Sequence, residues 1–77
     1  MMVEFDMWEW DGGDEPYCYA RIAIDPNSII MIKSVGGFYA VPKDGIKIQY
    51  QRGAVSGEFH TRGDFSQVME KIQAAMK

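Results

Sequence analysis

The stretch DFSQVMEKIQAAMK, residues Asp64 to Lys77, decides how the rest of the chain is read. Its apolar residues Phe65, Val68, Met69, Ile72, Ala75 and Met76 fall at offsets 0, 3, 4, 7, 10 and 11. On a spiral of about 3.6 residues per turn those offsets form one stripe, so the spacing predicts an amphipathic helix. Ser66, Gln67, Glu70, Lys71, Gln73 and Ala74 lie mostly on the other side. Asp64 can accept the free amides of the first turn, and Gln67 can return a bond to the Asp64 backbone in a capping box. Lys71 and Lys77 sit toward the carboxyl end, where the helix dipole favours cations. A helix with one oily side needs a surface to cover.

The residues upstream read as that surface, a sheet. Glu58 to Thr61 makes a short strand leading into the helix, and Arg52 to Gly57, RGAVSG, reads as the turn before it. Ile46 to Gln51 alternates, with Ile46, Ile48 and Tyr50 on one face and Lys47, Gln49 and Gln51 on the other. Gly36 to Gly45, GGFYAVPKDG, has no clean period: it fits a long hairpin connection or a short extra strand at Phe38 to Val41. Ile29 to Val35 is apolar on both faces, as a central strand is, or a strand covered on its second side by a partner. Asp25-Pro26-Asn27-Ser28 is a turn.

Tyr17 to Ile24 is a further strand, expected to pair antiparallel with Met2 to Trp10 across the turn Asp11 to Pro16, DGGDEP. In the first strand Val3, Phe5 and Met7 point one way, and Glu4, Asp6, Trp8 and Trp10 the other. Two tryptophans beside two carboxylates form a candidate contact surface, since aromatics are enriched where partners bind most strongly. The alternative is that the same chain covers them. The three carboxylates of DGGDEP lack the ligand spacing and terminal glutamate of a calcium loop.

Composition narrows the function classes. Seventy-seven residues with 47% hydrophobic and 13% aromatic content make a single packed domain, residues 1–77. A core of that size supplies little net stability, and dimerisation is a natural remedy. The lone Cys18 leaves no intrachain disulfide and suits a reducing compartment. The amino terminus carries acids where a signal peptide carries bases, and no apolar run approaches the roughly 18 residues of a membrane span, so a cytoplasmic protein is expected. The net charge of -3 hides an asymmetry: residues 1–20 hold six acids and no base, and residues 21–77 hold eight bases against five acids. Such an acidic end either keeps a first strand soluble or meets a basic surface.

Ile24-Asp25-Pro26-Asn27-Ser28-Ile29-Ile30-Met31-Ile32, a hairpin, Gly57-Glu58-Phe59-His60-Thr61 and then Asp64-Phe65-Ser66-Gln67-Val68-Met69-Glu70-Lys71-Ile72 follow one another in this order. The pattern resembles the strand-hairpin-helix arrangement of small flagellar FlbD-type proteins and of similar short phage-encoded proteins. The likeness covers roughly residues 22–74 and rests mostly on core and turn positions. This chain adds the acidic, tryptophan-bearing first hairpin and the GGFYAVPKDG segment. The resemblance implies a small non-enzymatic module that works through contacts, and it carries over no catalytic residue.

No reaction is spelled out by the residues. Cys18 and His60 lack a third orienting group and read as a buried thiol and a surface imidazole. One His and one Cys do not make a zinc site, and Gly12-Gly13 and Gly36-Gly37 lack the spacing of a phosphate loop. Arg62-Gly63-Asp64 spells an adhesion tripeptide, but Asp64 is already accounted for as a helix cap. Lys33, Lys43, Lys47, Arg52 and Arg62 with Phe38, Tyr39 and Tyr50 could meet a nucleic acid, against an acidic overall balance.

The expectations are therefore these. The fold is α+β, an antiparallel sheet of four to five strands with one C-terminal α-helix on one face. The helix stripe buries against Phe5, Ile22, Ile24, Ile30, Ile32, Ile46 and Ile48. The function is that of a non-enzymatic protein-binding module, a phage or mobile-element accessory protein that docks on a host protein. Its contact residues are Glu4, Asp6, Trp8, Trp10, Asp11, Tyr17 and Tyr19. An obligate homo-oligomeric structural protein is the alternative, and a small nucleic-acid-binding protein comes after it. The partner is a protein or a second copy of the chain, as a homodimer, with no nucleic acid, membrane, metal or cofactor.

Overall fold

The computed structural model describes residues 1–9, 15–35 and 44–76. Five strands and one helix follow in order: β1 (Val3–Glu9), β2 (Tyr17–Ile24), β3 (Ile29–Ser34), β4 (Gly45–Arg52), β5 (Val55–Arg62) and α1 (Phe65–Met76). A 3-10 turn, Pro26–Ser28, joins β2 to β3, with Asp25 accepting the Asn27 backbone N–H at 2.9 Å. The α+β class is as expected, but the strands do not form one sheet. β1 and β2 make a two-stranded antiparallel ribbon, and β3-β4-β5 make a separate three-stranded antiparallel sheet. β1 lies beside β5 without joining its ladder. Side chains fill that seam: the Phe5 and Phe59 rings stand 5.8 Å apart, and the Arg62 guanidinium covers the Trp8 ring at 4.7 Å.

The core is the set Val3, Phe5, Ile24, Ile46, Ile48, Phe59, Val68, Ile72 and Ala75, which joins both sheets to the helix. Helix entry follows the expected capping in part: Asp64 accepts the Ser66 N–H at 2.8 Å and the Gln67 N–H at 3.4 Å, and its carbonyl receives the Val68 N–H at 3.0 Å, but the return bond from the Gln67 side chain is not made. Of the predicted stripe, Val68, Ile72 and Ala75 are buried and Met69 is half-buried, whereas Phe65 and Met76 are exposed at the two ends. Ile22 and Ile32 are half-buried against the core. Ile30 is not in it. The β3-β4 register slips between Ile29 and Met31, which throws Ile30 off the ladder and leaves it 62% exposed.

β5 is twice as long as its sequence reading, because Gly57 is a strand residue. The turn is only Gly53-Ala54, with Gly53 at φ +62° and Arg52 paired to Val55. Gly57 sits opposite Tyr50, and a methyl group there would lie 2.5 Å from the Tyr50 hydroxyl oxygen. A larger residue there would have to push the Tyr50 ring aside, and glycine leaves room for it. Residues 36–43, including the proposed strand at Phe38 to Val41, lie outside the described residues.

Candidate functional site

β1 and β2 pair from Val3 with Ile24 to Glu9 with Tyr17, and the alternation of the first strand sets the faces of the ribbon. Val3 and Phe5 go into the core; Glu4 and Asp6 are exposed. Opposite them on β2 stands Arg21, whose guanidinium reaches Asp6 at 3.3 Å and Glu4 at 3.9 Å. All three groups are well exposed, so the bridges hold side chains in place more than they stabilise the fold, with about 0–1 kcal/mol each. Tyr19 is 50% and Tyr17 44% exposed, and the Tyr17 hydroxyl donates to Glu9 at 3.0 Å.

The structure thus brings Glu4, Asp6, Tyr17 and Tyr19 together on one ribbon, with Glu9 and Arg21 as members that the sequence reading omitted. Trp10 and Asp11 lie outside the described residues. Trp8 departs from the expected outward pair. The β1-β2 register passes over Tyr19, with Met7 paired to Ala20 and Trp8 to Cys18, so the extra residue lies on β2. The indole is half-buried and lies under Arg62, which is itself held by Asp44 at 2.8 Å. Trp8, Asp6, Arg62, Gln67 and Lys71 line a cleft of about 230 Å³ between the ribbon and the start of α1. Lys71 also covers the Phe5 ring at 4.7 Å. Both cations engage aromatic faces, an attraction of about 0.5–2 kcal/mol according to exposure.

The thiol and imidazole are the reverse of their sequence reading. Cys18 is exposed, its thiol donating to the Ala20 carbonyl at 3.4 Å, and His60 is half-buried. The slip beside Trp8 moves Cys18, its ladder partner, away from the core. Among the described residues no group of three or more His, Cys, Asp or Glu is placed to hold a metal ion. No helix among them is long and apolar enough to cross a membrane.

Among the described residues, three groups tie stability to pH. Desolvation first, and then Lys47, lower the His60 pKa from 6.5, against Glu58 and Glu9, which raise it. The hydrogen bond from Lys47 and then that from Gln49 lower Glu58 from 4.5. The Asn27 backbone N–H is the main cause that lowers Asp25 from 3.8. In each case the unfolded chain binds the proton more tightly, so stability falls with acidity. The His60 contribution is present above pH 6.5 and is lost as pH falls through its folded value; the carboxylates follow below 4.5 and 3.8. The urea midpoint is therefore expected to hold above pH 6.5, to decline below it and to decline again in the carboxylate range. His60→Gln should abolish the first decline and spare the second; a midpoint that rises from pH 7 to 5 would refute the assignment.

The ribbon presents charge, tyrosine hydroxyls and ring faces. Comparison with protein-family models, with curated proteins and with solved structures found no match for this chain.

Proposed function

We propose that this chain is a non-enzymatic protein-binding module that docks a basic segment of another protein on the exposed residues of the β1-β2 ribbon. The observation that carries the reading is that Tyr17 and Tyr19 are exposed on the same two strands as the exposed Glu4, Asp6 and Glu9, on a ribbon whose only described base is Arg21. Tyrosine gives large contact area at low entropic cost, and carboxylates around it select a positive partner and speed its approach. Trp8 serves as a support under Arg62 rather than as an anchor.

Affinity capture from a bacterial lysate, with the wild type beside Asp6→Lys and Tyr19→Ala, tests this. A protein retained by the wild type is expected to be lost with Asp6→Lys, weakened with Tyr19→Ala and released by about 0.5 M salt, where screening shortens the reach of charge to a few Å. Equal retention by all three proteins would show that the ribbon is not the docking surface.

A further inference from the structure

β3 is an edge strand of the three-stranded sheet: β4 pairs with one side of it, and no strand pairs with the other among the described residues. Exposed edges are normally blunted with charge or proline. β3 reads Ile29-Ile30-Met31-Ile32-Lys33-Ser34, with its one charge near the far end. Between this edge and α1 runs a groove of about 400 Å³, lined by Ile29, Ile32, Phe65, Met69 and Met76 among others, none of them charged. Ile30 lines this groove and also a second hollow with Gln49, Tyr50 and Gly57. Off the ladder and 62% exposed, it is a knob beside a groove.

We propose that a second copy of this chain docks on the β3-α1 face about a two-fold axis, the Ile30 of each copy entering the groove of the other. A two-fold interface must be self-complementary, and a projecting residue next to an apolar recess on one patch meets that demand. Charge selects this face for a copy. Two chains of net charge -3 repel, and apposed ribbons would set Glu4, Asp6, Glu9 and Glu15 against their own kind, a juxtaposition that costs several kcal/mol. Among the described residues that line it, the groove carries no charge to set against its own kind.

Area sets the strength. Six strand residues and twelve helical ones give a face roughly 20 Å on a side and, with the groove walls, on the order of 600 Å² per copy, the small end of specific interfaces. A reversible dimer with a Kd in the micromolar range is the expected result. Met-lined recesses adapt to a partner's shape, which suits a reciprocal insertion.

Sedimentation of the full chain from about 5 to about 500 µM tests the proposal, a range spanning the expected Kd. The wild type should move from monomer toward dimer mass. Ile30→Glu and Met76→Glu, both at exposed positions, should stay monomeric throughout with an unchanged circular dichroism spectrum. Asp6→Lys should dimerise as the wild type does, which separates this surface from the ribbon. A wild type that remains monomeric, an Ile30→Glu variant that dimerises normally, or a dimer altered by Asp6→Lys would each overturn the proposal. In the first case the groove is left to an extended apolar segment of some other protein.

Discussion

Ile48→Ala is expected to remove most of the stability of the fold. Ile48 is 0% exposed and lies at the middle of β4, the central strand, with Ile32 of β3 on one side and Phe59 of β5 on the other. The buried helix residues Val68, Ile72 and Ala75 belong to the same cluster. With neighbours on both flanking strands and a helix above, the site cannot collapse into the space left by three carbons, so the cost belongs at the upper end of the roughly 2–5 kcal/mol seen for such truncations. A domain of 77 residues holds on the order of 4–12 kcal/mol in total. Urea unfolding at low protein concentration should show the midpoint collapsing with an unchanged slope. Ile48→Val should cost only about 0.5–1.5 kcal/mol. Gln51→Ala, at an exposed position of the same strand, should stay within about 0.5 kcal/mol of wild type. If Ile48→Ala lost less than Ile48→Val is expected to lose, the helix would not be pressing on this face.

Much of this core was readable because burial imposes a period. The 3.6-residue stripe of α1 and the two-residue alternation of β4 place Val68, Ile72, Ile46 and Ile48 without any reference to coordinates. What periodicity does not encode is where it breaks. The extra residues Ile30 in β3 and Tyr19 in β2 each shift the alternation by one position, which leaves Ile30 out of the core and Cys18 exposed. Glycine usually marks a turn, and the sequence predicts one at Gly57, whereas in the fold Gly57 lies in β5 across the ladder from the Tyr50 ring. The fate of Trp8 depended on Arg62, a residue far along the chain whose approach no local pattern announces. The division into two sheets was equally hidden, since alternation tells which face a residue takes and not which strand is its neighbour. The doubly apolar run in β3 did carry a legible signal of the groove, as a strand whose second side awaits cover.

Phe59→Ala should act differently from Ile48→Ala, because Phe59 stands where the two sheets meet. Its ring lies 5.8 Å from that of Phe5 on β1 and 6.3 Å from that of Tyr50 on β4, both tilted. Such ring pairs are worth about 0.5–1.5 kcal/mol beyond the area they bury. The truncation as a whole should cost about 3–5 kcal/mol. No ladder joins β1 to β5, so beyond the chain link at Pro26–Ser28 the ribbon is held by side-chain packing, and a two-stranded ribbon is marginal on its own in water. Loss of the ring should therefore loosen β1-β2 first and the three-stranded sheet later. Amide hydrogen exchange separates the two: the paired residues Phe5 and Ile22 should lose far more protection than Ile46 and Ile48. Phe59→Leu, which keeps most of the volume, should restore much of the difference. Equal loss in both sheets would mean that they open as one unit. The Tyr17 and Tyr19 face would then owe its shape to the whole fold, and not to a ribbon held at one aromatic seam.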